Sequence, residues 1–279
     1  MTAFVWSIFE ESVLDNRPIG VFDSGLGGLS AVKELQKLLP NEHIVYFGDT
    51  GRVPYGTKSY ETIKRYAEQD VRFLESFGVK AVLAACGTVS AVALDDLKQK
   101  FSIPLYGVVD DAAKKALRET KTGVIAVAGT EATIGSGIFE RKLSNYGLSR
   151  YIGAACPLFV SLVECGFYKE DDEVAYQVCE RYLGFLRGTG ADTLILGCTH
   201  FPILAPVISK VLPGVKLINP AYEAAVKLKE TLDNSDLLSL ENDGKVEYYV
   251  SDQPIRFENV ANIFLARDIE AKMIDIEKM

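Results

Sequence analysis

Asp192-Thr-Leu-Ile-Leu-Gly-Cys198-Thr199-His200-Phe201-Pro202 is the stretch whose reading decides the fold. An apolar run of strand length passes through Gly197 and delivers Cys198 where the strand must turn, and the Phe-Pro behind it suits the first turn of a helix. In an open α/β sheet ligands bind at such carboxyl ends of strands, so Cys198, Thr199 and His200 stand where chemistry is usually found. A free cysteine is also a common buried hydrophobe, and this stretch alone does not separate the two readings.

Upstream the pattern recurs. Lys80-Ala-Val-Leu-Ala-Ala-Cys86-Gly87-Thr88-Val89-Ser90 is a second buried strand ending in cysteine, with a threonine close behind and an amphipathic helix predicted from near Ser90. Each cysteine then lies near a helix N-terminus, whose partial positive charge lowers a thiol pKa. Further out, Pro18-Ile-Gly-Val-Phe-Asp23-Ser24-Gly25-Leu-Gly27-Gly28-Leu-Ser30 reads as strand, glycine-rich turn and helix to about Leu39. Ser30 occupies the place of the third glycine of a dinucleotide fingerprint. Asp23 at the strand end either caps the turn or serves a site.

His43 to Gly48 is the next strand, followed by the polar loop Asp49 to Gly56 and a helix from about Ser59 to Phe77. Thr122-Gly-Val-Ile-Ala-Val-Ala-Gly129-Thr130-Glu-Ala-Thr133 parallels Ile19-Gly-Val-Phe-Asp. Each half thus opens on a Gly-Val strand and contributes one strand-end cysteine, a faint internal repeat. Glu164 is the sole acid in the apolar run from Cys156 to Cys165, and burying it is expensive unless it is paired or solvated. Val246 to Asp252 is predicted as an edge strand. With two helices it forms a tail that returns to the first half, after a flexible polar link from Asp233 to Gly244. The predicted units are an N-terminal extension (1–17), a discontinuous lobe (18–118 plus 222–279) and a second lobe (119–221).

The chain has 279 residues, 48% of them hydrophobic, which suffices for real cores. A net charge of −8 with no cluster of Lys and Arg excludes a nucleic-acid surface. Five cysteines without a pairing pattern point to a reducing cytoplasm, and two histidines with no C-x-x-C exclude a metal site. No segment is long enough to span a membrane. Val5, Ile8, Phe9 and Val13 fall at helical spacing and predict a small helix docked on the body or on a second subunit, which leaves a homodimer open.

Phe22-Asp23-Ser24-Gly25-Leu-Gly27-Gly28, Gly48-Asp49-Thr50-Gly51-Arg52-Val53-Pro54-Tyr55-Gly56, Ala85-Cys86-Gly87-Thr88 and Leu196-Gly197-Cys198-Thr199-His200-Phe201-Pro202 together resemble the glutamate racemases. The resemblance runs from about Ile19 through most of the chain. It implies two pseudo-symmetric α/β lobes with mostly parallel sheets, an active site in the cleft between them, no cofactor, and glutamate as the small-molecule substrate, with D-glutamate supplied for peptidoglycan. Inverting an α-carbon without a cofactor needs a base on one face and an acid on the other. By resemblance Cys86 and Cys198 are that pair. Asp23 and His200 set their protonation, and Glu164 assists beside Cys198. By the same resemblance Ser24, Tyr55, Gly56, Gly87, Thr88 and Thr199, with Thr130 and Thr133, line the substrate beside Asp23 and His200.

One position departs from the family. Asparagine commonly follows the first cysteine, and here it is Gly87, so either the loop approaches more closely or another residue supplies the contact. The alternatives are an aspartate or other racemase of the same superfamily, and a cysteine hydrolase in which one thiol is the nucleophile and His200 its base.

Overall fold

Apolar strands alternate with helices along the chain in the computed structural model, which describes residues 15–148, 150–239 and 244–279. The helix expected over Val5 to Val13 lies outside the described residues. Two sheets repeat one topology. β1 (Ile19–Asp23), β2 (Ile44–Gly48), β3 (Ala81–Ala84) and β4 (Leu105–Gly107) lie side by side in the order β2-β1-β3-β4. β5 (Val124–Gly129), β6 (Arg150–Ala155), β7 (Thr193–Leu196) and β8 (Lys216–Ile218) lie in the order β6-β5-β7-β8. Every neighbouring pair is parallel. Each sheet starts with a central strand, steps to one side and returns on the other, so a switch point lies between β1 and β3 and another between β5 and β7.

The first sheet is wider. β9 (Val246–Val250) pairs with β2, and β10 (Ala271–Met273) pairs with β9. The segment expected as an edge strand is therefore interior, and the returning tail brings two strands instead of one. Only Tyr248 and Val250 of β9 are fully buried, which is why its sequence reads as an edge.

Both faces of the first sheet are covered, as a parallel sheet requires. Phe22, Phe47 and Val82 pack with Ile63, Ala67, Val71 and Leu74 of the helix Tyr60–Glu75. Ile19, Val21, Tyr46 and Leu83 face Val32 and Leu35 of the helix Leu29–Leu38. Each such side chain contributes roughly 1.5–3 kcal/mol by leaving water. The helix Asp110–Glu119 packs Ala112, Ala113 and Ala116 with Ile125, Val127 and Ile195 of the second sheet. The chain thus leaves the first sheet at Gly107, ahead of the crossing expected at Glu119 to Thr122. Asp192 pins that segment to the start of β7, accepting hydrogen bonds from Thr120 Oγ1 and from the N–H groups of Lys121 and Thr122.

At the amino ends of β2 and β3, Lys80 and Glu42 are buried together, with Nζ 2.7 Å from Oε2. The ammonium also donates to the carbonyls of Asp15 and Leu237, and Glu42 Oε1 accepts the Ser239 N–H. The end of the N-terminal extension and part of the supposedly flexible link are therefore fastened under the sheet. The helix Pro220–Asn234 also runs into that link.

Candidate active site

Cys86 and Cys198 each stand two residues past the third strand of their sheet, after Ala84 of β3 and Leu196 of β7. Cys86 caps the helix Gly87–Val92, which starts three residues earlier than expected because Gly87 and Thr88 already form its first turn. Behind Cys198 the chain makes a 3₁₀ turn, Phe201–Leu204, with Pro202 in its first positions.

The loops after the strands of both sheets enclose a cavity of about 310 Å³. Ser24, Tyr55, Gly56, Cys86, Gly87 and Thr88 line it from the first half. Thr130, Thr133, Glu164, Cys198, Thr199 and His200 line it from the second. Asp23 does not reach it. The glycine-rich turn folds over this side chain, which is 1% exposed, and its Oδ2 accepts the Gly25 N–H at 2.9 Å. Tyr46 holds the turn from below by donating its hydroxyl to the Gly25 carbonyl. Sequence reasoning missed Val53, Pro54, Pro157, Val160 and Ser161 as wall residues. Only Val53 and Pro54 carried a signal, being part of a polar loop after a strand.

The two thiols have different neighbours. Cys86 Sγ lies 3.6 Å from Ser24 Oγ. Burial, helped by the Asp23 carboxylate, pushes this thiol up to about 12 against hydrogen bonds from the Val89 N–H and Ser24. The lowering expected from the helix N-terminus is therefore overridden by desolvation. Beside Cys198, His200 Nε2 meets Glu164 Oε1 at 3.0 Å and the ring stands edge-on to Phe264. Burial opposes charge on the imidazole, yet the Cys198 sulfur and the Glu164 carboxylate outweigh it and hold the ring up at about 10. His200 Nδ1 and Asp23 Oδ1 make no hydrogen bond of good geometry. Burial also raises Asp23 above the usual carboxylate range, against the pull of His200 and the turn N–H groups.

Hydroxyls supply the remaining polarity. Thr88 Oγ1 lies 3.3 Å from Thr130 Oγ1, which is 2.9 Å from Thr133 Oγ1, so one cluster spans both halves. Tyr55 lines the wall with its ring, but its hydroxyl is bonded to the Asp49 and Asp70 carboxylates and is not offered to the cavity. Arg52 bonds the same two carboxylates and holds the loop in place. Gly87 faces the Gly197 carbonyl, and a Cβ at this position would lie 2.4 Å from its oxygen. Among the described residues no group of His, Cys, Asp and Glu gathers to hold a metal ion. No helix among them is long and apolar enough to cross a membrane.

Twin parallel sheets, each presenting a cysteine to one shared cavity, define a racemase of the α/β type. The sequence profile of the Asp/Glu/Hydantoin racemase family matches residues 19–228, and the chain belongs to that family. The glutamate racemase of Aquifex aeolicus is 42% identical over 255 residues, covering 91% of this chain and 96% of that protein. The crystal structure of the Francisella tularensis glutamate racemase in complex with D-glutamate superposes with a TM-score of 0.89 at 37% identity, over 95% of this chain and 100% of that one. The Thermus thermophilus glutamate racemase, solved with beta-chloro-D-alanine, gives a TM-score of 0.85 at 40% identity, over 95% and 100% of the two chains. Within the family, this chain belongs to the glutamate racemases.

Proposed function

We propose that the chain interconverts L- and D-glutamate in the cytoplasm by a two-thiol mechanism, and so supplies D-glutamate for peptidoglycan. The observation that carries this reading is that Cys86 and Cys198, from different sheets, line one cavity of about 310 Å³, within the range of small-molecule sites. Cys86 is held as the protonated thiol and starts as the acid. Cys198 has the His200 imidazole and the Glu164 carboxylate on its side of the cavity, so in this reading it starts as the base. The Cys198 thiolate takes the α-hydrogen as a proton from one face, and the C–H electron pair stays on the substrate. The Cys86 thiol then gives its proton to the opposite face and becomes a thiolate. The reverse reaction exchanges the roles.

The cavity wall contains no Lys or Arg. The substrate's carboxylates are therefore held by Ser24, Thr88, Thr130, Thr133 and Thr199 and by open N–H groups at the helix starts, with His200 the sole cation. A site built from such groups rejects a substrate that leaves them unpaired, which favours glutamate over the shorter aspartate.

The purified chain, without added cofactor, is expected to incorporate solvent deuterium at the α-carbon of L-glutamate while optical rotation decays. L-Aspartate run in parallel should remain almost unchanged. Absence of exchange, or faster exchange with aspartate, overturns the assignment.

A further inference from the structure

Val53, Pro54, Tyr55 and Gly56 form one wall of the cavity, and the loop that carries them is fastened from outside it. Arg52, one residue earlier, turns inward. Its Nε lies 2.6 Å from Asp49 Oδ2 and its Nη2 3.0 Å from Asp70 Oδ1, while the guanidinium stacks over Tyr66 at 4.1 Å from the ring centroid. The Tyr55 oxygen lies 3.1 Å from Asp70 Oδ2, and its hydroxyl also bonds Asp49 Oδ2. Asp49 and Asp70 are both fully buried, and neither lines the cavity.

The two acids play different parts. Asp49 belongs to the root of the loop itself, where Ser251 Oγ lies 2.8 Å from its Oδ1. Asp70 comes from the helix Tyr60–Glu75, whose Ile63, Ala67, Val71 and Leu74 are set in the core. It spends one oxygen on Arg52, before the wall, and the other on Tyr55, within it. Gln69, beside it, reaches Arg52 but not Tyr55. Asp70 is therefore where both ends of the wall are tied to a packed element. Tyr55 has one hydrogen for two acid oxygens, so the second contact is completed by a hydrogen on Asp70. Burial and the neighbouring Asp49 raise Asp70 well above the usual carboxylate range, against the pull of Arg52, which keeps that hydrogen in place. At its far end the loop bears on the second half. A Cβ on Gly56 would lie 3.3 Å from Thr130 Cβ, and Thr130 belongs to the hydroxyl cluster with Thr88 and Thr133.

We propose that Asp70, which does not touch the substrate, is a positioning residue for substrate binding: it fixes residues 53–56 against Thr130 and so sets the affinity for glutamate. The thiols stand on other loops, after β3 and β7, and keep their spacing whether or not this wall is held. A wall in place only part of the time weakens binding by the inverse of that fraction. The loss therefore falls on KM and leaves kcat nearly alone. This inference rests on the racemase reading and concerns only how that site holds its substrate.

The test compares the parent chain with Asp70→Ala and Asp70→Asn, measuring kcat and KM for inversion of both enantiomers together with thermal unfolding. Asp70→Ala releases both ends of the wall. It is expected to raise KM about tenfold, as for a wall in place about a tenth of the time, with kcat within about threefold of the parent. Asp70→Asn keeps the shape of the acid: its carbonyl oxygen accepts from Arg52 Nη2 and its amide nitrogen donates to the Tyr55 oxygen, so KM should return to within about twofold of the parent. An aspartate of purely structural value would lower the active fraction, and with it the apparent kcat, and leave KM unmoved. An unchanged KM in Asp70→Ala, a loss confined to kcat, or an asparagine variant as impaired in KM as the alanine overturns the proposal. Should Asp70→Ala fail to fold by circular dichroism, Tyr55→Phe decides. It keeps the ring on the wall and removes only the hydroxyl bonded to Asp49 and Asp70, so KM must rise at least about threefold with kcat held, and an unmoved KM there overturns the proposal as well. Failure of the racemase reading itself would show in the parent chain, which would then invert neither enantiomer.

Discussion

Lys80 and Glu42 meet below the amino ends of β2 and β3, while Asp23, Cys86, Cys198 and His200 gather above the carboxyl ends of β1, β3 and β7. Both clusters are buried. In the lower one the ammonium has two carbonyls and a carboxylate within 2.7 Å, and Glu42 has a backbone N–H on its other oxygen. In the upper one Asp23 Oδ1 and His200 Nδ1 make no hydrogen bond of good geometry, where Glu42 Oε2 below, also without one, has at least its ion pair with Lys80, and the Cys86 thiol is held far above its usual range. The lower cluster has spent its polar groups on the fold. The upper one keeps charge and protons available, which costs stability and is what a proton-transferring site needs.

Mutation can break that contrast from either side. The largest effect is expected from Cys86→Ala or Cys198→Ala. Each should lower inversion of glutamate by at least the roughly 10²–10⁴-fold that a positioned acid or base supplies, with the urea midpoint nearly unmoved. Normal turnover in either variant ends the two-thiol reading. Next, Lys80→Met strands the Glu42 carboxylate and should destabilise by about 3–5 kcal/mol in urea unfolding, while kcat of the folded protein stays unchanged. Adding Glu42→Leu should recover much of that loss, because the cost lies in the abandoned charge.

The smallest effect concerns pH. The folded chain keeps a proton on His200 up to about 10, whereas an unfolded histidine releases it near 6.5. Stability from this ring is therefore complete below pH 6.5, falls as pH rises, and is gone above about 10. Urea melts across that window should show a decline on the order of 1 kcal/mol per pH unit, flattened by His200→Asn. A parent slope equal to that of the variant contradicts the assignment.

Much of this arrangement was legible because burial leaves a strong mark. Thr193–Leu196 and Ala81–Ala84 are continuous apolar runs that end at small residues, so the cysteines announced themselves. β6 left no such mark. Its exposed Arg150, Gly153 and Ala155 break any apolar run at the edge of the second sheet. β10 has three residues and no periodicity, and without it β9 has to read as an edge. The helix Asp110–Glu119 shows which face is alanine-rich but not which sheet that face meets. The Cys86 ionisation failed for a related reason: a helix N-terminus is visible in sequence, but the depth at which the sulfur lies is not. Asp23 was expected to serve the site directly, and it lies buried beneath the turn. Its concealment depends on the path of the turn above it, which the glycines permit but do not dictate.

The twin sheets share a strand order but not a set of proton donors, since one thiol has a serine hydroxyl beside it and the other an imidazole. Enantiomers have equal free energy in water, so kcat/KM for L- and D-glutamate must match however unlike the two thiols are. The inequality can surface only as a common factor in kcat and KM, with one enantiomer held more tightly and converted more slowly. A protein folded almost as its own duplicate is thereby bound to even-handedness overall, yet free to linger over one hand of its substrate.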